Sequence, residues 1–313
     1  MKAREVVCPD LNAALEDWRG EGFRLDSIYP ADDPQTAVLS RDGDIVRLTL
    51  PGAPQVPDTL PPFAPEFVLT RAGATPAQGR AGMLYRDLIP GRLGGRYIAS
   101  HIVIPEAGPV ADWVHYHRVA LQMIFVRRGW VRVVYEDQAE PFVMKEGDLV
   151  LQPPLIRHRV LESSAGLEVV EISAPALHET FADHELALPN AVPTQRDFGA
   201  QRFLRHVASS SPWIAYNDAE AQETAMSEAT GGLAEVRTIR PGSASRIDFE
   251  PHPGELVFGF VLGGTAQLER RDGEGLGPAD AFVIPPGEAW GVSRMTADFR
   301  LLHVTTERLD GGA

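Results

Sequence analysis

Short runs rich in hydrophobic residues, separated by glycine- and proline-containing turns, recur along this chain, and that pattern predicts short β-strands. The first 50 residues contain four predicted strands: Arg4–Cys8, Phe23–Tyr29, Thr36–Ser40 and Ile45–Leu50. Between the first two, Asp10 can cap a helix through about Arg19 that places Leu11, Leu15 and Trp18 on one face. These elements predict a small α+β module in β-α-β-β-β order.

An internal repeat organises the remainder of the chain. The segment Leu84–Asp87 has a counterpart in Ala215–Asp218, and each is followed by a pair of glycines and a predicted strand. Later, Gly147–Pro154 corresponds to Ala279–Gly287. The repeat predicts two similar β-barrels, each made of two packed antiparallel sheets.

The repeat and the proline-rich stretches suggest where the parts of the chain begin and end. The prediction is an accessory module at residues 1–50, a linker at 51–64, a first barrel at 65–188, a second linker at 189–199 and a second barrel at 200–308. The short module favours an accessory or dimerisation role.

Composition narrows the class of protein. With 313 residues, of which 44% are hydrophobic, the chain can form two cores, and 29 glycines and 26 prolines suit strands joined by tight turns. The net charge of −14 argues against binding to nucleic acid or an anionic membrane. Cys8 is the single cysteine, so no internal disulfide can form. We expect a cytoplasmic protein, since the N-terminus lacks an apolar signal segment.

Three histidines and a glutamine in the first half have the spacing of a metal site. His115 and His117 are two residues apart on a predicted strand, so both imidazoles point to the same face. Gln122 follows on the next strand, and His158 follows a glycine- and proline-marked turn. Three imidazoles and one carboxamide can bind one divalent transition metal and leave positions open for a substrate.

These residues resemble the two motifs of the cupin superfamily. The first motif corresponds to Gly108, His115, His117, Gln122 and Gly129, and the second to Gly147, Pro153, Leu155, His158 and Glu162. Six residues instead of five separate Gly108 from His115. Gln122 stands where the family usually has Glu, Leu155 where it has Gly and Glu162 where it has Asn. The resemblance implies a mainly β protein with two tandem cupin jelly-roll barrels, in which these His and Gln residues bind the metal.

The second barrel does not repeat the ligand set. In the sequence alignment of the two halves, Glu250, His252, Leu256 and Trp290 fall on His115, His117, Gln122 and His158, respectively. An apolar residue and an indole thus replace two ligands, so we expect a second barrel without a metal. Glu255, beside the aligned position, is the one residue able to restore part of a site.

Other polar residues on predicted barrel strands are candidates for the site. His101 and Tyr97 share one face of the strand before the metal motif and are candidate catalytic groups. His101 is either an acid or base that faces the cavity or a strand residue at the barrel mouth, and Tyr97 is a candidate hydrogen-bond partner of a substrate oxygen. Gln152 and Glu171 can orient the ligands. The remaining histidines lack ligand spacing and are predicted to be structural or on the surface: His178, His184, His206 and His303.

The cupin resemblance implies an enzyme, namely a non-haem dioxygenase-type oxidoreductase for a small oxygenated substrate, aromatic or enolisable. Fe is the first metal expected, with Mn, Ni or Zn as alternatives. Two other functions stay open: a non-redox lyase, isomerase or cyclase, and a bicupin that binds small molecules without turnover. The N-terminal segment resembles half of a vicinal-oxygen-chelate (glyoxalase-like) module, and because such modules pair, we expect a homodimer.

Overall fold

The computed structural model describes residues 3–57, 59–78, 82–190, 198–270 and 273–309. The N-terminal module has the predicted β-α-β-β-β order. Its elements are β1 (Arg4–Val7), α1 (Leu11–Gly20), β2 (Arg24–Tyr29), β3 (Thr36–Arg41) and β4 (Asp44–Thr49). The carboxylate of Asp10 caps α1 by accepting a hydrogen bond from the backbone N–H of Ala13 at 3.0 Å. Strands β1 and β4 are parallel, whereas β2, β3 and β4 form an antiparallel meander.

The part of the chain that follows contains many short strands, as the sequence predicts. They are β5 (Val68–Thr70), β6 (Ala77–Gln78), β7 (Leu84–Asp87), β8 (Ile98–Ile104), β9 (Gly108–Pro109), β10 (His115–His117), β11 (Leu121–Arg128), β12 (Trp130–Tyr135), β13 (Phe142–Lys145), β14 (Leu149–Leu151), β15 (His158–Ser163), β16 (Leu167–Ala174), β17 (Thr180–Ala182) and β18 (Leu204–His206). Short 3₁₀ turns lie at Arg92–Gly94 and Ala208–Ser210.

The C-terminal part repeats this arrangement. It contains β19 (Ile214–Tyr216), β20 (Ala219–Glu223), α2 (Met226–Ala229), β21 (Ala234–Arg240), β22 (Arg246–Phe249), β23 (Leu256–Gly263), β24 (Ala266–Glu269), β25 (Glu274–Leu276), β26 (Ala281–Val283), β27 (Trp290–Ser293) and β28 (Arg300–Thr306). Within the described ranges, no helix has the length and apolar character needed to cross a bilayer.

Four sheets pack into two barrels. The first barrel combines a ten-stranded sheet, in the order β1-β4-β3-β2-β17-β10-β15-β12-β13 with β9 paired to β15, and a seven-stranded sheet, in the order β18-β14-β11-β16-β8-β7-β6. The second combines seven strands, in the order β19-β20-β21-β28-β23-β26-β5, with four, in the order β22-β27-β24-β25. The prediction of two tandem jelly-roll barrels with a small α+β module is confirmed.

The N-terminal module is joined to the first barrel through one continuous sheet. Strand β2 pairs with β17 where Ile28 lies opposite Thr180, and β17 in turn pairs with β10 where Thr180 lies opposite His117. The module therefore adds strands beside the predicted metal-binding strand, instead of forming a separate accessory unit.

The two barrels exchange strands at their borders. Two strands pair with the barrel other than the one to which the predicted boundaries assign them. Val68–Thr70 falls in the range predicted for the first barrel, yet β5 pairs with β26 of the second. Leu204–His206 falls in the range predicted for the second barrel, yet β18 pairs with β14 of the first. Each exchange crosses a proline-rich or connecting stretch where side-chain alternation gives no information on pairing.

One apolar core joins the barrels. Strand β11 contributes Leu121, Met123 and Phe125 to it, and β23 contributes Leu256, Phe258 and Phe260. The alternate side chains of β11 point into the first barrel, where Gln122 and Ile124 line a cavity. The nearly continuous apolar run of β11 is thus explained by burial on both faces.

Candidate metal centre

Three histidines converge inside the first barrel. His115 and His158 lie directly opposite each other on β10 and β15, and His117 follows on the same face of β10. One nitrogen from each of the three rings lies within 4.8 Å of the others. The rings are almost completely buried. The alternation of β10 and the register between β10 and β15 therefore bring together the three histidines that the motif spacing singles out.

Backbone carbonyls fix the orientation of two of these rings. The Nδ1 atoms of His115 and His158 lie 2.7 and 3.0 Å from the carbonyl oxygens of Trp113 and Ile156, respectively. Because a carbonyl only accepts, each Nδ1 must carry the proton and donate it. Nε2 is then the nitrogen of each ring that can bind a metal. The Nδ1 of His117 contacts the hydroxyl of Thr180 at 3.1 Å.

Gln122 is held in place by a carboxylate, as the prediction for Glu171 proposes. The side-chain amide nitrogen of Gln122 donates to Glu171 Oε1 at 2.8 Å, and the hydroxyl of Ser173 donates to the same oxygen at 3.1 Å. A carboxylate accepts hydrogen bonds, so this contact fixes which end of the amide is nitrogen. The amide oxygen of Gln122 remains as a candidate fourth ligand beside the three imidazoles.

A cavity of about 100 Å³ extends from the histidines into the barrel. The three histidines, Gln122 and Glu171 line one end, while isoleucines, valines and methionines line most of the remainder. Gln152 also faces the cavity and donates to the hydroxyl of Tyr135 at 2.7 Å. Burial raises the pKa of the Tyr135 phenol, so it stays protonated near neutral pH.

A fourth histidine, His178, lines the same cavity, so the prediction of a structural or surface role for it is wrong. His178 is 4% exposed, and its ring centroid lies 5.4 Å from that of His117. Its Nδ1 donates to the carbonyl of Pro175 at 3.0 Å, whereas Nε2 has no hydrogen-bond partner among the described residues. Burial lowers the pKa of His178, which favours the neutral ring. His178 lies in the turn after β16, where strand alternation no longer predicts direction.

The N-terminal module also contributes to the cavity wall. Ala31 and Asp32, in the turn between β2 and β3, line the cavity beside His178. A carboxylate oxygen of Asp32 lies 2.7 Å from Nη2 of Arg92, in the 3₁₀ turn before β8. The module thus helps to enclose the candidate site, a contribution that no motif in the first 50 residues indicates.

The two predicted catalytic residues, His101 and Tyr97, lie outside the cavity. Alternate residues of β8, such as Ser100 and Ile102, line it, so the other face of the strand points toward the second barrel. There His101 Nε2 contacts Glu168 at 2.8 Å, and this hydrogen bond lowers the pKa of the Glu168 carboxyl to about 2. The prediction that His101 faces the cavity is wrong because strand periodicity gives two faces without saying which is inner.

Tyr97 belongs to the core between the barrels. Its hydroxyl lies 2.8 Å from the hydroxyl of Thr306 and 3.3 Å from a carboxylate oxygen of Glu255. The other oxygen of Glu255 accepts a hydrogen bond from Arg96 at 2.7 Å. Glu255, considered as a partial ligand in the second barrel, is therefore engaged in a buried ion pair. Tyr97 is fully buried and cannot contact a substrate in the first barrel.

On β11 and β23, the structural alignment of the two barrels differs by one residue from the sequence alignment. The backbone N–H of Gln152 donates to the carbonyl of Gln122 at 2.9 Å. In the second barrel, the N–H of Ile284 donates in the same way to Val257, also at 2.9 Å. Val257 is therefore the counterpart of Gln122, and the alignment with Leu256 is wrong by one residue.

A similar shift affects the counterpart of His115. His115 pairs with His158, whereas Trp290 pairs with Phe249 and not with the predicted Glu250, which is exposed. His252 does correspond to His117, because its carbonyl accepts from Gly287 as that of His117 accepts from Leu155. Among the residues that the structure describes, no second group of metal-ligating side chains is found.

Comparisons with known proteins agree with this architecture. The chain matches no protein-family model, and no curated protein matches its sequence. Among solved structures, a variant of Bacillus subtilis oxalate decarboxylase is similar with a TM-score of 0.56 at 13% identity, over 80% of each chain. A putative glyoxylate-induced protein from Pseudomonas aeruginosa is similar with a TM-score of 0.58 at 12% identity, over 81% of this chain and 94% of that chain. Protein Ylba from E. coli gives a TM-score of 0.55 at 12% identity, over 77% and 90%.

These likenesses, at 12–13% identity, concern the fold, which in this chain consists of two jelly-roll barrels. The first barrel contains the three-histidine cluster, and the corresponding place in the second barrel contains an aromatic pair.

Proposed function

We propose that this chain is a metal-dependent bicupin enzyme with its single centre in the first barrel. His115, His117 and His158 would bind the metal, and the amide oxygen of Gln122 would complete the set. The observation that carries the proposal is the convergence of three buried imidazoles within 4.8 Å, two of them with Nδ1 anchored to backbone carbonyls. Such anchoring is typical of histidines that bind metals.

The ligand set fits a divalent first-row ion. Three neutral imidazoles and a neutral amide would not compensate the charge of the ion. The nearby Glu171 carboxylate is hydrogen-bonded to Gln122 and is not itself a proposed ligand. When bound, such an ion supplies Lewis acidity, and Fe(II) also supplies the capacity to bind O₂. His178 Nε2 can accept a hydrogen bond from a substrate held at the centre. Buried Tyr135 and Gln152 form part of the wall that excludes water.

The first reaction class proposed is that of a dioxygenase-type oxidoreductase, with Fe as its metal and a small oxygenated, aromatic or enolisable molecule as its substrate. The second is a non-redox lyase, isomerase or cyclase using Mn, Zn or Ni. Neutral Gln122 in place of a carboxylate favours this second class, because a more positive centre is the stronger Lewis acid. Binding of a small molecule without turnover is the third possibility, and the experiments below distinguish the three.

Metal analysis of matched variants tests the centre. We expect about one equivalent of metal per chain in the wild-type protein and in His252→Ala, which changes the counterpart of His117 in the second barrel. His117→Ala should lose most of the metal and keep its circular dichroism spectrum. Full metal content in a His115/His117 double alanine variant would exclude the proposed centre.

Oxygen dependence tests the reaction class. The protein is reconstituted separately with Fe(II), Mn(II), Zn(II) and Ni(II), and each form is incubated with a panel of catechols, enols and hydroxyketones in the presence and absence of O₂. Oxygen uptake coupled to substrate loss only in the Fe(II) form supports the dioxygenase. Turnover without O₂ supports the non-redox class. Tight binding without turnover in any form supports a binding protein.

A further inference from the structure

The cavity of the first barrel is polar at one end and apolar along most of its length. Its polar end contains the three clustered histidines together with Gln122, Glu171 and His178. The remaining wall is formed mainly by aliphatic side chains, among them Ile102, Ile124, Val131, Val133, Met144 and Val169. A molecule with a polar head at the histidines would therefore place its remaining atoms against hydrocarbon, where burial of apolar surface is favourable.

The charges around the cavity are unfavourable to an anionic body. Among the described lining residues, the charged ones are Asp32, Glu171 and Arg159. Arg159 follows His158 on β15 and is exposed, so strand alternation directs its side chain away from the interior. A carboxylate in the apolar part would then be desolvated against aliphatic side chains, and no cationic side chain among the described lining residues points toward it.

His178 adds a constraint on the polar head. Its Nδ1 donates to Pro175, and its Nε2 is buried at the cavity wall without a hydrogen-bond partner among the described residues. In a neutral imidazole with Nδ1 protonated, Nε2 is an acceptor. A buried acceptor gains most from a ligand that donates to it, because leaving it unpaired is costly. The head group should therefore carry an O–H or N–H.

The size of the cavity limits the body of the ligand. Its volume of about 100 Å³ is of the order that accommodates a short alkyl chain or one ring. An apolar cavity of roughly 150 Å³ in another protein holds benzene. A long acyl chain or a fused polycyclic body would not fit without a movement of the wall.

We propose that this cavity takes a small molecule with a metal-chelating oxygen head that donates a hydrogen bond, joined to a short, uncharged apolar body. The inference rests on the metal centre proposed above and specifies its substrate class. The head would bind at the three histidines and donate to His178, and the body would lie against the aliphatic wall around Ile124 and Val133.

Hydroxamates are suitable probes, since they chelate metals through two oxygens and can be varied in the body alone. Calorimetric titration of Zn(II)-loaded protein compares acetohydroxamate, butanohydroxamate, benzohydroxamate and 4-carboxybenzohydroxamate. We expect roughly tenfold tighter binding for the two added methylenes of the butano compound. Benzohydroxamate should also bind more tightly than acetohydroxamate, and the 4-carboxylate should cancel that gain. Equal affinities across the series, or preference for the carboxylated ring, would overturn the inference.

Variants assign the gain to this cavity. Ile124→Phe fills the apolar wall and should weaken benzohydroxamate at least tenfold while leaving acetohydroxamate nearly unchanged. Ile214→Phe is the matched control, because Ile214 is 42% exposed on the second barrel and outside the cavity. Even if Ile124→Phe does not fold, the ligand series on the wild-type protein decides the question.

The donor requirement has its own test. N-methylation of benzohydroxamate removes its N–H and should weaken binding to the wild-type protein. In His178→Leu, the affinities of benzohydroxamate and its N-methyl derivative should differ less. An unchanged difference in His178→Leu would contradict the role given to His178. Metal content is measured before each titration: protein that holds no metal overturns the proposed centre and this inference together, whereas metal-loaded protein with a flat ligand series overturns this inference alone.

Discussion

The indole of Trp290 lies parallel to the ring of Phe249, with the centroids 3.9 Å apart and the planes 2° apart. The two residues pair across β22 and β27 at the place where His115 and His158 pair in the first barrel. An aromatic stack thus fills the second barrel where two candidate ligands meet in the first. This replacement is why we expect the second barrel to contribute stability and not chemistry.

Trp290→Ala should lower the free energy of unfolding by about 3–5 kcal/mol, because it removes a large buried side chain and leaves a cavity beside Phe249. Urea denaturation measures the change, and metal analysis should show unaltered content in the folded variant. His252→Ala, at a partly exposed position, should change neither quantity. If His252→Ala instead halves the bound metal, both barrels bind metal and this division of roles is wrong.

Glu171→Gln should weaken metal binding about 10- to 100-fold, the usual effect of removing a group that orients a ligand. The substituted amide can present either end to Gln122, so the oxygen of Gln122 is no longer fixed toward the histidines. Competition with a chromogenic chelator measures the affinity. Ser173→Ala, which removes the other hydrogen bond to Glu171, is the matched control and should have a smaller effect. Equal effects of the two changes would argue that Gln122 is not a ligand.

Asp32→Ala should increase the rate at which EDTA removes metal by about fivefold. The ion pair between Asp32 and Arg92 is partly solvated, so it stabilises the turn between β2 and β3 by about 1 kcal/mol. Asp33→Ala is the control, since the carboxylate of Asp33 contacts Gln35 instead. Identical release rates in all three proteins would show that this turn does not limit access to the centre.

His303 should make the protein less stable in acid. Burial lowers the pKa of His303 from its ordinary 6.5 to about 3. As the pH falls from about 6.5 to about 3, the unfolded chain binds a proton that the folded protein does not, so stability decreases by up to about 1.4 kcal/mol per pH unit. His303→Leu should reduce this slope in urea denaturation measured at several pH values. The same slope in both proteins would contradict the assignment.

A homodimer with a mass of about twice 34.1 kDa is expected in light scattering. Strand β1 forms one end of the ten-stranded sheet, and Val7 on it is 67% exposed, so this edge is available to a second copy. Val7→Lys should favour the monomer, whereas Ile214→Lys, at an exposed site on the second barrel, should not. A wild-type monomer at working concentration would exclude the prediction.

The sequence predicts most of the fold because its signals are local. The alternation of β10 places His115 and His117 on one face, and the repeated turns at Gly147 and Ala279 indicate two barrels. The cap at Asp10 predicts where α1 begins. Each of these features depends on residues a few positions apart, so no knowledge of distant contacts is needed.

The errors arise where a single residue or a distant contact decides the outcome. A shift of one residue exchanges the two faces of a strand. The sequence alignment therefore puts Leu256 in the place of Val257, and the strand pattern puts His101 and Tyr97 on the cavity side. His178 and Asp32 reach the cavity from turns that are distant in sequence from the histidine motif. No periodicity describes such turns, and their position follows only from the complete fold.

The continuous sheet from β2 through β17 to β10 makes the N-terminal module part of the structural unit that holds the candidate metal centre. Strand β17 contains only Thr180–Ala182, and it is flanked by the N-terminal module on one side and by His115–His117 on the other. Removal of the N-terminal module would make β17 an exposed edge strand next to the histidines and would also remove Asp32. Attempts to transplant this centre into another protein should therefore carry the first 50 residues with the barrel.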